Sequence, residues 1–457
     1  MHDIDTPGLW YLPEDPTNPV AGTLHYSVES GLTLSLIGTL GETSNSMEPV
    51  RFPVIYGLID QSPYEGSYVT LVDSFRKSAT WRIPGFKSES IRANRAYIGR
   101  RHIAKEKDGP FISARATYHH LDVWSHLTGF RGLLWHHDEP GVIAARYERP
   151  PHIEFSVGET TRARIEAETV PSQENGRLIL KEQVELTWSD TAGFGPMDVM
   201  DALVSPFQDF LTFAVDAPSA LRDVAFVAAP AEGQPVGEAV NLVFQPVYRP
   251  QEAAATSIDM LFTWPQVAAN HPNVIERWLT FRKEFKAPCD VYFGLLYGPP
   301  AYIETRFLLL ATALGMFLAE RLPSTTNIQE ALASLRRTVA GARERLWVEM
   351  IPPVAELALP QGIWSVIDDY SQLVLPAVGN EAARFVGELV EVRRHLFQLG
   401  DDRQQRRSMQ ERLLRIIEQL GLLTKIRVLE CLGFSGEEIT RVMSKQRRYL
   451  HLVREAN

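Results

Sequence analysis

The sequence predicts an α+β protein, with a β-rich N-terminal domain followed by an all-α domain. Up to about residue 250, short runs of β-branched and alternating residues are separated by Gly, Pro, Asn and Ser. From about residue 255 onwards, apolar residues recur at the 3.6-residue spacing of amphipathic helices. Because strands and helices are segregated along the chain, we expect two domains, residues 1–250 and 255–457.

The strands of the N-terminal half are predicted where apolar and polar residues alternate. They are GTLHYSV, LTLSLIGTL, SYVTLVDSF, HIEFSV, RLILKEQVELTW and NLVFQPVY. Two helices interrupt them. The segment HLDVWSHLTGFRGLLW predicts a helix around 120–135, and the apolar spacing over 198–215 predicts another despite Pro206.

The C-terminal half predicts a series of helices separated by turn residues. Breaks are expected at Pro-Ser-Thr-Thr (323–326), Pro-Gln-Gly (360–362) and Gly-Asp-Asp (400–402). The helical segments begin with WPQVAANHPNVIERW, AYIETRFLLL, NIQEALASL (327 onwards), GIWSVIDDY, NEAARFVGEL and DRQQRRSMQERLL.

Composition and charge limit the classes of function. A hydrophobic fraction of 45% supports well-packed cores, and a net charge of −10 argues against a surface that binds nucleic acid everywhere. Residues 381–457, however, carry 15 Lys or Arg against 11 Asp or Glu. This local excess fits either a phosphate-binding face or several solvated helices.

Cysteine usage and hydropathy indicate a soluble, cytoplasmic protein that does not enter a membrane. Cys289 and Cys431 lie far apart in apolar contexts, so we expect two buried small hydrophobic residues, with neither a zinc site nor a disulfide framework. The longest apolar run, 307–319, has 13 residues, short of the roughly 20 that span a bilayer.

Common catalytic motifs and cofactor sites are not predicted. The sequence contains no glycine-rich phosphate loop after a strand, no HExxH and no nucleophile elbow. A histidine-rich segment is the one candidate for a metal site, but its spacing matches no metal-binding motif, and surface histidines explain it better. Its titratable residues are His119, His120, Asp122, His126, His136, His137, Asp138 and Glu139. We therefore expect no metal and no cofactor.

Several segments, in order, resemble the ApeA family of bacterial anti-phage proteins, which join a β-rich N-terminal domain to a C-terminal HEPN domain. The segments of the N-terminal half are GLWYLP, AGTLHY, VIYGLID, YVTLVDS, RAYIGRRH and LDVWSHLTGFRGLLW. Those of the C-terminal half are ETRFLLLATAL, GELVEVRRHLFQLGDD and the leucine-rich stretch RLLRIIEQLGLLTKIRVLECLG. The resemblance implies an antiviral, abortive-infection protein.

The resemblance also implies a mechanism, because active HEPN domains are metal-independent endoribonucleases, usually paired as dimers. An arginine followed after four to six residues by a histidine holds the phosphate and moves protons. Here Arg393 matches the arginine and Arg394 the position that is usually Asn, but Gln398 stands where the histidine belongs. His395 is two residues after Arg393, about 200° around a helix.

A second departure from the family pattern is Gly315, where the family commonly has a glutamate. Together the departures indicate a degenerate catalytic motif, because glutamine does not exchange protons as imidazole does. A rearranged acid such as His395 or His451 is a further possibility. The structural alternative for Arg393 and Arg394 is that cations complement the dipole at a helix C-terminus.

The sequence therefore leaves three functions open. The first is an ApeA-type protein that cleaves RNA, with tRNA as a candidate. In the second, the protein binds RNA through Arg393, Arg394, Arg403, Arg406 and Arg407 without efficient cleavage. The third is a non-catalytic HEPN module for dimerisation or regulation, whose β domain senses a phage protein or small ligand. All three imply a phage-derived trigger, and we expect a homodimer formed through the helical domain.

Overall fold

The fold is described from a computed structural model. It describes residues 1–41, 50–81, 85–103, 111–135, 143–158, 161–174, 177–230, 237–246, 256–299, 301–319, 352–395 and 403–456. At residues 393–395 and 403–408 the description covers the backbone. The chain divides into two compact units. The β unit comprises Met1–Leu211 and Ser219–Ala254, and the helical unit comprises Thr212–Pro218 and Ala255–Asn457. The α+β prediction is confirmed.

The β unit is built on twelve strands of one sheet and two of a smaller one, counted over the described residues. The strands are β1 (Ile4–Tyr11), β2 (Val20–Ser27), β3 (Gly31–Ile37), β4 (Arg51–Ile59), β5 (Tyr68–Trp81), β6 (Lys87–Gly99), β7 (Phe111–Tyr118), β8 (Phe130–Trp135), β9 (Ile143–Tyr147), β10 (Ile153–Val157), β11 (Thr161–Glu174), β12 (Arg177–Phe194), β13 (Leu221–Ala228) and β14 (Ala239–Phe244).

A closed barrel forms the first part of this sheet. Strands β6, β3, β2, β1, β4 and β5 pair in that order, and β5 pairs back to β6. The first half of β6 pairs with β3 and its second half with β14, so the sheet continues through β13, β7, β12, β11 and β10. Closure satisfies the backbone hydrogen bonds that open sheet edges leave unpaired.

The barrel core explains why two of the family-like segments contain the residues they do. Trp10 is fully buried, and its indole N–H donates to the Gly22 carbonyl at 3.2 Å. Gly57 lies opposite Trp10 on the neighbouring strand, where an added Cβ would overlap the indole ring. The tryptophan of GLWYLP thus requires the glycine of VIYGLID.

The helix predicted around 120–135 is present only in its first part. Helix α1 (Leu121–Ser125) ends where His126 adopts a φ of +55°, a left-handed conformation that stops a helix. The following residues Phe130–Trp135 form β8, which pairs with β9. A short apolar run fits a strand as well as a helix, so spacing alone gave the wrong element.

The helix predicted over 198–215 is present, and Pro206 is accommodated by a wider turn before it. Helix α2 (Pro196–Val199) leads into a π-helical turn, Met200–Val204, and then into α3 (Ser205–Val215). Pro206 therefore lies in the first turn of α3, where the missing N–H of proline is tolerated.

The helical unit contains ten further helices in its described residues. They are α4 (Trp264–Val267), α5 (Val274–Glu284), α6 (Lys286–Tyr297), α7 (Ile303–Leu318), α8 (Pro352–Asp369), α9 (Ser371–Ala377), α10 (Ala382–His395), α11 (Arg403–Cys431), α12 (Gly436–Ser444) and α13 (Arg447–Ala456). The predicted helix over 327–346 and the predicted breaks at 323–326 and 400–402 lie outside the described residues.

The break predicted at 360–362 is wrong, because α8 continues through it. Gly362 is buried against α7, and an added Cβ would lie 2.5 Å from the Cβ of Leu318. The glycine therefore allows two helix backbones to approach each other, rather than ending a helix.

The two cysteines differ in burial, and neither forms a disulfide. Cys289 is fully buried as predicted, whereas Cys431 is half-buried and lines a shallow groove with Arg277 and Phe281. The prediction of a buried residue is thus wrong for Cys431, the last residue of α11.

Among the described residues, no helix combines the length and apolar composition that crossing a bilayer requires.

Candidate functional site

Three of the four predicted catalytic residues lie at the end of α10. Arg393, Arg394 and His395 are its last three residues, and the helical backbone includes all of them. Gln398 lies outside the described residues. The roles of these four residues therefore stay predictions.

The other predicted RNA-binding residues begin the next helix. Arg403, Arg406 and Arg407 lie in the first turns of α11, so five arginines occur within the fifteen residues from 393 to 407. Positive charge at a helix N-terminus opposes the helix dipole. Helix stability therefore gives no reason for arginines at the start of α11.

Arg412 connects the two arginine-bearing helices. Its Nε donates to Glu388 at 2.7 Å and its Nη2 to Glu391 at 3.3 Å. The hydrogen bond to Glu388 is the largest cause of the raised pKa of Arg412. Both acidic residues lie on α10, and Glu391 precedes the predicted arginine pair by two residues. The clamp thus brings the C-terminal part of α10 beside the N-terminal part of α11.

The buried face of α10 extends almost to its arginines. Phe385, Leu389 and Val392 are at most 4% exposed and recur at the i, i+4, i+7 spacing of one helix face. This apolar stripe fixes the rotation of α10 about its axis up to the residue before Arg393.

Gly315 and His451 occupy different environments. Gly315 lies in α7 between Leu314 and Met316, which are 0% and 7% exposed. A glutamate here would have to enter that packed region. His451 is exposed on α13, with Nδ1 3.6 Å from Oε1 of Glu455.

The surface position expected for the histidine-rich segment is found for His126, which is exposed, whereas His120 is buried and His119 is half-buried. Nδ1 of His120 lies 3.1 Å from the hydroxyl of Ser219, and both residues are buried. Burial, followed by the nearby Arg222 and His120, lowers the pKa of His119 to about 4. His136, His137, Asp138 and Glu139 lie outside the described residues.

An acidic cluster on β11 and β12 was not predicted from the sequence. Carboxylate oxygens of Glu166, Glu168 and Glu185 lie within 4.8 Å of one another. Arg149 contacts Glu166 at 3.0 Å and Glu168 at 3.3 Å. Burial raises the pKa of Glu185, an effect that Arg115 opposes.

A second group, also not predicted, lies on the outer surface of the barrel around His102. Its Nε2 shares a 3.0 Å hydrogen bond with the hydroxyl of Tyr11. Tyr56 stacks on the imidazole at 4.2 Å, and Tyr68 meets it edge-on at 5.1 Å. Burial lowers the pKa of His102, an effect that a backbone hydrogen bond with Val69 partly offsets. The imidazole is therefore neutral at neutral pH.

Exposed leucines extend this group into a continuous surface. Leu9 pairs with Leu58 across β1 and β4, and Leu58 pairs with Tyr68 across β4 and β5. Leu9 is 47% and Leu58 44% exposed. We call the surface formed by Leu9, Tyr11, Tyr56, Leu58, Tyr68 and His102 the aromatic face.

The aromatic face could have been found from the sequence. Residues alternate sides along a strand, so the neighbours of buried Trp10 and Gly57 point outwards. In GLWYLP and VIYGLID those neighbours are leucine and tyrosine, rather than the polar residues usual on a solvated face.

The protein thus belongs to the α+β class, with a closed barrel in its β-rich part and a helical C-terminal part. A comparison with protein families matches residues 6–278 to ApeA N-terminal domain 1. This match covers more than half of the chain, which therefore belongs to that family. Comparisons with curated proteins and with solved structures found no match. The family supports an ApeA-type N-terminal domain and a role in anti-phage defence.

Proposed function

We propose that this protein defends bacteria against phage by binding RNA through its helical unit, without efficient cleavage of that RNA. Residues 255–457 would form a HEPN-like domain, paired in a cytoplasmic homodimer. Family membership supports the defence role, and the clamp at Arg412 supports the RNA-binding role. This clamp is the observation that carries the proposal, because it brings together the parts of α10 and α11 that contain the arginines.

RNA binding follows from the chemistry of these arginines. A guanidinium pairs with phosphate through two parallel hydrogen bonds and keeps its charge at all physiological pH values. Several such groups in a short segment bind a phosphate backbone in a salt-dependent manner. Weak or absent cleavage follows from Gln398, because losing a general acid or base typically costs about 10²–10⁴ in rate.

The test is an RNA-binding and RNA-cleavage assay on purified full-length protein with total tRNA. Arg393→Ala should weaken binding and reduce its dependence on salt. Arg415→Ala is the matched control, because Arg415 is exposed further along α11 and should leave binding unchanged. Equal binding by wild type and Arg393→Ala would refute the RNA-binding role.

Cleavage is tested separately with Gln398→His. The wild type should cleave tRNA slowly or not at all, and restoring the imidazole should increase the rate. Rapid cleavage by the wild type would refute the loss of catalysis. It would support an active metal-independent endoribonuclease with a rearranged acid instead.

A second proposed role concerns the β unit, where the aromatic face would recognise the phage-derived trigger. Exposed leucines and tyrosines arranged on one sheet surface are typical of a protein-binding site, since they supply apolar area and hydrogen-bonding hydroxyls together. Leu58→Ser should abolish protection against phage in a plating assay while leaving the protein folded. Ile37→Ser removes a similarly exposed side chain outside the aromatic face and should retain protection. Protection by both variants would refute this role.

A further inference from the structure

The helical unit contains a cavity of about 310 Å³ that is separate from the predicted RNA-binding residues. Its walls come from Thr212–Pro218, from α6 and α7, from the middle of α11, and from α12 and α13 with the residues that join them. All of these segments belong to the helical unit. The volume falls in the range of small-molecule sites, about 300–1,000 Å³.

A buried ion pair lines the cavity. Nζ of Lys425 lies 2.6 Å from Oδ1 and 2.7 Å from Oδ2 of Asp216. The two side chains are 10% and 13% exposed. Since an ammonium group has three donors, the lysine retains hydrogen-bonding capacity beyond this pair.

Two guanidinium groups also line the cavity. Arg306 on α7 and Arg448 on α13 are exposed, and neither forms an ion pair with any described residue. The charged lining comprises these arginines and Lys425 against Asp216 and Glu418. Because Lys425 and Asp216 neutralise each other, the arginines leave an excess of positive charge over Glu418.

A buried tyrosine also lines the cavity. Tyr292 lies on α6 and is 5% exposed. Burial, followed by Asp216, raises its pKa, so the hydroxyl remains a donor at physiological pH. A tyrosine hydroxyl can donate one hydrogen bond to an acceptor on a ligand.

We propose that this cavity binds a small phosphate-bearing molecule with an apolar body, of the size of a nucleoside monophosphate. The phosphate dianion matches the charge of Arg306 and Arg448, and the hydroxyl of Tyr292 donates to the ligand. Leu295, Leu310 and Met443 provide the apolar wall for the rest of the molecule. This site is independent of RNA binding at residues 393–407.

The proposal is tested by calorimetric titration of the full-length protein with the four nucleoside 5′-monophosphates. Saturable binding of at least one is expected, together with an increase in melting temperature, because a ligand that binds the folded state stabilises it. The unphosphorylated nucleosides and inorganic phosphate should each bind at least about tenfold more weakly, since each lacks one of the two recognised parts.

Variants test the assignment of residues. Arg306→Ala and Arg448→Ala should each weaken binding of the monophosphate by about tenfold or more, because each removes a charge-assisted contact. Arg454→Ala is the matched control, since Arg454 is exposed on the same helix as Arg448 and does not line the cavity. Tyr292→Phe should weaken binding less than the arginine variants, because it removes a neutral donor.

Three outcomes would overturn the proposal. One is the absence of saturable binding by every monophosphate, and another is binding by both arginine variants at wild-type affinity. The third is preferential binding of an apolar carboxylate such as octanoate, which would contradict the phosphate assignment. None of these outcomes bears on tRNA binding at Arg393, so the two proposals fail separately.

Discussion

Each unit contains a buried ion pair, and the two pairs differ in what surrounds them. In the β unit, Arg76 bonds Glu89, whose side chain is 0% exposed. Glu89 also accepts the Leu40 N–H at 2.9 Å, and Arg76 donates to the Leu40 carbonyl at 3.3 Å. In the helical unit, Asp216 and Lys425 line a cavity instead. One charge pair is therefore enclosed by its own chain, whereas the other lies at the wall of a cavity.

The segments that carry the family resemblance contain both residues that pack the interior and residues that form a surface. In the β unit, alternate residues of one strand serve different purposes: Trp10 builds the barrel core, while Leu9 and Tyr11 belong to the aromatic face. Core and surface can therefore be mutated separately. In α10, the buried stripe of Phe385, Leu389 and Val392 reaches the residue directly before the predicted RNA-binding arginines.

The largest effect is expected from breaking the enclosed pair. Arg76→Met leaves the Glu89 carboxylate buried without its cation, and removing one partner of a buried pair typically costs about 3–5 kcal/mol. Chemical denaturation of the purified protein measures this loss. Arg51→Met removes an exposed arginine on β4 and should change the free energy of unfolding by less than about 0.5 kcal/mol. Equal stabilities of the two variants would show that the Arg76–Glu89 pair is not energetically important.

A smaller loss is expected at the cavity. Lys425→Met removes the cation beside Asp216, but water in the cavity can solvate the carboxylate, so we expect about 1–3 kcal/mol. Denaturation under the same conditions gives the comparison. Lys283→Met, at an exposed position of α5, serves as the control. A loss equal to that of Arg76→Met would mean that the cavity excludes water and that the two pairs do not differ.

Acid should weaken the two units over different pH ranges. The lowered pKa of His119, about 4 against an ordinary 6.5, means that the unfolded chain binds the proton first. The contribution of His119 to stability is therefore complete above pH 6.5 and declines as pH falls towards 4. In the helical unit, hydrogen bonds from the backbone and hydroxyl of Ser435 lower the pKa of Glu438 to about 2. The contribution of Glu438 is complete above pH 4.5 and declines as pH falls through 2.

Hydrogen exchange followed by mass spectrometry distinguishes the two units in this acid series. Around pH 5, protection should decrease in peptides next to His119 while peptides of α12 stay protected. His119→Asn should reduce the loss between pH 6.5 and 4, and Glu438→Gln should reduce it below pH 4.5. Simultaneous loss of protection in both units near pH 5 would contradict this assignment.

Some of the structural features behind these predictions can be predicted from the sequence, and others cannot. Alternation and helical spacing predict the α+β class, because burial on one face imposes a period on any strand or helix. The capping residues Ser435 and Glu438 also form a local S-x-x-E pattern, from which the start of α12 could have been predicted. The roles of Gly362 and Glu89, by contrast, depend on partners distant in sequence, Leu318 and Arg76 among them. No local pattern encodes such contacts, and the cavity around Tyr292 is likewise invisible to periodicity.

The smallest change in stability is expected from replacing glycines by alanine. The sign of the change should depend on whether close packing requires the glycine. Gly387 is exposed within α10, and an added Cβ would meet nothing within 4 Å. Gly387→Ala should therefore stabilise the protein by about 0.5–1 kcal/mol, through lower backbone entropy of the unfolded chain and higher helix propensity. Gly362→Ala, at the close contact with Leu318, should have the opposite sign. The denaturant midpoints of the two variants measure both effects. Stabilisation by Gly362→Ala would show that α7 and α8 move apart more easily than their close contact suggests. An unchanged midpoint for Gly387→Ala would instead indicate that α10 is not part of the cooperative unfolding unit.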